Sequence, residues 1–142
     1  MKPNPVVHFE MGYQDRDRMC AFYEKAFNWK LNRMGQEMGN YVVAETGPTD
    51  EATGRPSNPG NINGGFYQKT DNPSSHAPSV VIAVDDIHAA ITAVTNAGGK
   101  ILGGMQQDGT HTMEPTMIPG VGLWISAEDT EGNRISLLQP KM

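Results

Sequence analysis

The chain has 142 residues, of which 37% are hydrophobic and 19% charged, with a formal net charge of -5. That length suits one domain, or two small halves sharing a core. The acidic balance argues against nucleic acid, whose phosphates need a basic footprint, and against anionic membrane surfaces; no apolar run reaches the length of a spanning helix.

The start, MKPNPVVHFE, is kept extended by Pro3 and Pro5 and carries no secretory apolar segment, so the expected location is cytoplasmic. Val6–Met11 reads as a strand with two unlike faces, Val7, Phe9 and Met11 on one and His8 and Glu10 on the other. Asp15 is placed to cap a helix. Met19, Phe22, Tyr23, Ala26 and Phe27 then recur at helical spacing and form an apolar stripe for the Val7/Phe9/Met11 face. The lone Cys20 lies beside that stripe, excludes an internal disulfide and reads as a small buried residue. Asn28 can end the helix in a left-handed conformation, and residues 29–33 return as a strand. Nine methionines are more than a chain this size needs, and they read as core gap-fillers.

Residues 41–46 form a third strand. Gly47–Asn61, polar and rich in Pro and Gly, predicts a long mobile loop. Asn63–Gln68 is a fourth strand whose glycines let something approach its backbone closely. Lys69–Pro78 is a linker that carries His76, read as a surface residue. The pattern then repeats. Ser79–Val84 is a β-branched strand, and Asp85 is placed to cap a helix with the stripe Ile87, Ala90, Ile91 and Val94. His88 near its start reads as exposed. Gly98 and Gly99 stop the helix, and residues 100–103 form a strand. Met105–Gly120 predicts a second long loop. Val121–Ala127 and Arg134–Gln139 make a closing hairpin through a turn at residues 129–133. A repeat of about seventy residues is too long for a solenoid and fits two tandem modules fused through their sheets.

Four stretches, HFEMGYQDRDRMCAFYEKAFNW, GGFYQ, VVIAVDDIHAAITAVTNAGGKIL and PGVGLWISAEDTEGNRISLLQP, resemble in order and spacing the vicinal oxygen chelate (VOC) superfamily, the glyoxalase, bleomycin-resistance and dioxygenase group. The resemblance implies an α+β fold with two tandem βαβββ modules, residues 5–68 and 79–139, forming curved mixed sheets around a cleft. These make up a single domain over residues 1–142, and the assembly is usually a homodimer. It also implies a divalent metal (zinc, nickel, manganese or iron) held by one residue from each of four strands. The first-strand position falls on His8, which matches. The fourth-strand position falls within Asn63–Gln68, which has no His or carboxylate. The other two fall on Ser79 and Ser136, whose neutral hydroxyls are poor ligands for zinc or nickel. No metal cofactor is therefore expected, with His8 the remaining ligand if there is one. The nearest branch by this reading is the lactoylglutathione-lyase-related one.

His8 and Glu10, two apart on one strand, share a face at a spacing of about 7 Å. They read either as a general acid–base pair or half of a metal site, or as a half-buried His and a carboxylate bonded to the backbone or to each other. Phe66 and Trp124 lie on strands that would line the cleft, although Phe66 and its neighbour Tyr67 cannot both point inward. His111 and Glu114 have a metal-like spacing, but Gly109 and Pro115 flank them, and the segment reads as solvated loop. The leading functional reading is a module that binds a small, partly apolar molecule, with His8 and Glu10 for polar recognition, Ser79 and Ser136 as hydroxyl donors, and Phe66 and Trp124 as apolar contacts. The alternative is a metal-dependent lyase, isomerase or dioxygenase using His8, Glu10 and a loop residue such as Glu114. A third reading is metal-free proton transfer by His8 assisted by Glu10.

Overall fold

The computed structural model describes residues 2–105 and 111–141. Among these are two α-helices and ten strands in mixed sheets, an α+β fold. In chain order they are β1 (Val6–Tyr13), α1 (Arg16–Phe27), β2 (Lys30–Arg33), β3 (Val42–Glu45), β4 (Asn63–Gln68), β5 (Ser79–Ala83), α2 (Ile87–Asn96), β6 (Lys100–Met105), β7 (His111–Thr112), β8 (Thr116–Ile118), β9 (Gly122–Glu128) and β10 (Arg134–Pro140). The chain divides into two compact units. One comprises residues 8–78; the other comprises residues 79 onward together with the N-terminal segment through Val7.

In the first unit the strand order is β2-β3-β4-β1. β4 runs parallel to β1, with Glu10 beside Gly65 and Met11 beside Phe66. The other pairs are antiparallel. Asp15 caps α1 by accepting the Arg18 N–H at 3.0 Å, and Asn28 closes it at φ 59° with its N–H donated to the Glu24 carbonyl. The buried stripe of α1 is narrower than its sequence spacing predicts. Cys20 is fully buried at its centre, and Met19 and Tyr23 flank it. Phe22 and Phe27, expected in that stripe, are 56% and 59% exposed and meet Tyr23 from the solvent side. The buried face is centred between Tyr23 and Cys20, which leaves Phe22 to one side of it, and Phe27 is the last residue of the helix. Tyr23 instead stacks on Trp29 with ring centroids 4.7 Å apart and planes at 10°. Phe9, Met11, Tyr13, Val42, Ala44 and Phe66 complete this core.

The second unit repeats the scheme in the order β5-β10-β9-β6-β7, with β8 on β9. β10 runs parallel to β5, and β9 runs antiparallel to β10. Its core of Val84, Ile87, Ile125 and Leu137 is covered by Ala90, Ile91 and Val94 of α2. The cap of α2 is Asp86, which accepts the His88 and Ala89 N–H groups, and not Asp85 as its position before the apolar run predicted. Asp85 instead lies 3.2 Å from the Lys2 ammonium in an exposed pair, a contact of small energetic weight.

Both long loops carry more structure than their composition predicts. Residues 47–61 turn on Asp50, whose carboxylate accepts the Ala52 N–H at 2.8 Å, and are crossed by a bridge between Thr49 and Pro56. Asn63 pins the base of this loop, accepting the Thr46 N–H and donating to Thr49 Oγ1. The expected loop over residues 105–120 includes β7, paired with β6, and β8, paired with β9. A side chain on Gly104 would run into Thr116 and the Glu114 carbonyl, so the glycine makes that close pairing possible.

Candidate functional site

Alternation along β1 separates two chemistries. Phe9 and Met11 join the core under α1, while His8 and Glu10 fall on the opposite, helix-free face. Glu10 is 1% exposed. Its Oε2 accepts the phenolic proton of Tyr41 at 2.8 Å. Tyr41 precedes β3, where the Met34 N–H holds its carbonyl at 2.8 Å. Its ring passes directly over Gly65, and any side chain at that position would collide with the phenol. The sequence signalled a close approach to the glycine-rich β4. The approaching groups are the protein's own, Tyr41 at Gly65 and Phe9 at Gly64.

Burial sets the electrostatics of this face. It pushes the Tyr41 phenol well above the ordinary tyrosine value, and the Glu10 carboxylate beside it and the hydrogen bond to it act in the same direction. The proton therefore stays on Tyr41, and the pair works as donor and acceptor. His8 is partly buried, and loss of solvation lowers its pKa below the ordinary histidine value. A neutral imidazole can accept a proton or a hydrogen bond.

Phe66 is 1% exposed and belongs to the aromatic core, 5.1 Å from the Tyr23 ring and 6.0 Å from Phe9. The parallel register with Met11 turns it toward the helix, away from His8 and Glu10. Tyr67, the next residue, is the one on the His8 and Glu10 face.

In the second unit Leu123, Ile125 and Leu137 pack under α2, and the alternate residues occupy the other face. Ser79, Ser126 and Ser136 are all buried there, Ser136 completely. Ser126 lies directly across from Ser136, and Arg134 Nη1 donates to Ser126 Oγ at 2.8 Å. Trp124 lies two residues from Ser126 on the same face. Its indole N–H is enclosed and has no hydrogen-bond partner among the described residues. An enclosed donor left unsatisfied costs on the order of 1–3 kcal/mol. Sequence reasoning missed Tyr41, Ser126 and Arg134. The hairpin register that follows from the turn at residues 129–133 would have paired Ser126 with Ser136; nothing in the sequence marked Tyr41.

His111 and Glu114 lie in the hairpin segment of the second unit. His111 Nε2 is engaged with the Leu102 carbonyl at 2.7 Å, and Thr112 Oγ1 accepts the Glu114 N–H. Cys20 is buried, and loss of solvation raises its thiol pKa. It is thus poorly suited to act as a nucleophile.

The profile of the Glyoxalase/Bleomycin resistance protein/Dioxygenase superfamily matches residues 6–137. The chain belongs to this superfamily. No curated protein matches the sequence of this VOC member. Among solved structures, a hypothetical protein from Bacillus halodurans C-125 is 13% identical with a TM-score of 0.63, the match covering 99% of this chain and 97% of that one. A methylmalonyl-CoA epimerase from Mycobacterium tuberculosis is 12% identical with a TM-score of 0.59, covering 96% and 88%. A Streptomyces coelicolor methylmalonyl-CoA epimerase variant in complex with 2-nitronate-propionyl-CoA is 12% identical with a TM-score of 0.63, covering 98% and 96%. At these identities the likeness is one of fold.

Members of the superfamily commonly use a divalent metal, and the donor set here does not fit one. Of the four strand positions only His8 carries a strong ligand; Ser79 and Ser136 offer neutral hydroxyls, and β4 offers amides and a phenol. Among the described residues no group of three or more His, Cys, Asp or Glu side chains could hold an ion.

Proposed function

We propose that each unit of this VOC protein offers, by itself, a helix-free sheet face that binds a small, partly apolar molecule, without the four-ligand metal site that the superfamily resemblance implies. One observation carries the reading. Glu10, almost fully buried, is held by the Tyr41 phenol at 2.8 Å on the same face as His8. Burying such groups is costly and adds nothing to the apolar core under α1, which supports a role in recognition. The second unit's own face offers Ser79, Ser136 and Trp124 as hydroxyl and aromatic contacts by the same reading; in the first unit Phe66 contributes from beneath, as support for β4. Placement in the lactoylglutathione-lyase-related branch, a homodimer and a cytoplasmic location belong to the proposal as well.

A thermal-shift screen of small carbonyl compounds, aromatics and acyl-CoA thioesters tests it. A binder of the folded state raises Tm by an amount that grows with the logarithm of its concentration above Kd. The effect should disappear in His8→Ala or Glu10→Gln. A screen with no stabilising compound, or stabilisation that both variants keep, refutes the site.

A second reading has a specific observation behind it. The lowered pKa of His8 leaves a neutral imidazole at physiological pH, able to take a proton from carbon with Glu10 assisting. The epimerase neighbours make methylmalonyl-CoA the first substrate to try. Deuterium uptake at its α-carbon in heavy water, lost in His8→Gln, would establish turnover; no uptake above the blank would leave binding alone.

A further inference from the structure

We infer that the helix-free face of the second unit takes up an acceptor oxygen of its ligand, a carbonyl or carboxylate, through the Trp124 indole N–H beside Ser126 and Arg134. The inference deepens the binding proposal and rests on it.

The three groups converge by register. Trp124 and Ser126 are alternate residues of β9 and so share a face, and Arg134 of β10 reaches Ser126 Oγ at 2.8 Å. Their polarity is one-sided. An indole N–H and a guanidinium can only donate. Ser126 accepts from Arg134 and keeps a hydroxyl proton of its own to donate. The Trp124 N–H is enclosed and unpartnered. What such a patch calls for is an oxygen with lone pairs. Glu128 lies opposite Arg134 in the register, so the patch is not a bare positive charge and does not demand a full anion. Leu138, opposite Trp124, and the indole ring itself give the apolar surface for the body of the molecule.

The test uses the full chain with nitrogen-15-labelled tryptophan. Only two indole signals arise, from Trp29 and Trp124, and Trp124→Phe assigns them. Phenylacetate, phenylacetamide and ethylbenzene are titrated as probes of one shape with a carboxylate, a carbonyl and no oxygen. The Trp124 signal should move saturably with at least one oxygen-bearing probe, while the Trp29 signal and the ethylbenzene titration stay still. Movement with phenylacetate alone selects a carboxylate; movement with phenylacetamide selects a carbonyl. Trp124→Phe should weaken that probe's binding by roughly tenfold. Ser126→Ala, which keeps the indole, should weaken it in the same direction and controls for misfolding of the first variant.

A still Trp124 signal with both oxygen probes, or an equal response to ethylbenzene, overturns the inference. A compound that stabilises the wild type and Ser126→Ala alike and leaves the Trp124 signal unmoved would sink this inference while the binding proposal stands. A screen with no stabilising compound sinks the proposal itself.

Discussion

Tyr41 donates its phenolic proton to Glu10 at 2.8 Å from a position that exists only because Gly65 beneath it has no side chain. Three residues from three strand segments thus make one device, and none can change without the others.

Gly65→Ala should therefore destabilise the protein by about 1–3 kcal/mol, the usual cost of forcing a methyl group into a filled space. Urea denaturation checks it. The new methyl group would meet the ring as well as the hydroxyl, so Tyr41→Phe should not rescue the variant. A midpoint equal to wild type would show that the phenol has another place to go.

Tyr41→Phe removes the donor and leaves the Glu10 carboxyl short of a hydrogen bond, at a cost of about 1–3 kcal/mol. The pH dependence is specific. The folded-state pKa of Tyr41 lies well above the ordinary tyrosine value of 10.0, so above that value the unfolded chain has lost a proton that the folded protein keeps. The folded state then binds more protons, and stability falls as pH rises. The wild type should lose stability through this alkaline range, and Tyr41→Phe should lose less. Parallel curves for the two proteins would disprove the coupling.

Burial holds the His8 pKa below the ordinary histidine value of 6.5. In the window beneath 6.5 the unfolded state binds the proton first, so stability drops as pH falls through that window. His8→Gln should flatten this acid slope. Proton NMR of the imidazole should give a midpoint below 6.5 in the folded protein; one at or above it would place the ring in solvent.

Cys20 is fully buried at the centre of the α1 contact. A thiol reagent should label it at the rate of opening of that helix, and immediately in denaturant. Fast stoichiometric labelling of the native protein would contradict the packing of α1.

Elemental analysis of protein purified without a histidine tag should find less than stoichiometric zinc, nickel, manganese or iron, because the described donors fall short of a ligand set. A full equivalent that disappears in His8→Ala would restore the metal-dependent reading.

The periodicities that the sequence carries most strongly are those imposed by the backbone. Period-two alternation at residues 6–11 separated His8 and Glu10 from Phe9 and Met11, and the structure keeps that division. The capping residues Asp15 and Asn28 were legible because a local hydrogen bond and a left-handed φ favour few side chains. Choosing between Asp85 and Asp86 was not possible from pattern alone, since both precede the apolar run and only the helix start decides which carboxylate meets free N–H groups. Residues 47–61 remain a loop, ordered by the Asp50 turn and the Thr49–Pro56 bridge. The loop expected over residues 105–120 was misjudged because its order comes from strand pairing, β7 with β6 and β8 with β9, which composition does not encode. Tyr41 was invisible for the same reason. Its role depends on Glu10, 31 residues earlier in the chain, and on a gap in a third strand.

In each half the strand that closes the sheet lies parallel to the one that opened it, β4 beside β1 and β10 beside β5. On a ribosome that arrangement imposes a delay. His8 cannot meet its register partner Asn63 until the latter has left the exit tunnel, so the opening strand waits with an unpaired edge while the intervening chain is made. Nascent protein should be most vulnerable to chaperone capture and aggregation in that interval, and a synonymous-codon pause placed just before the closing strand should lower the soluble yield more than one placed after it.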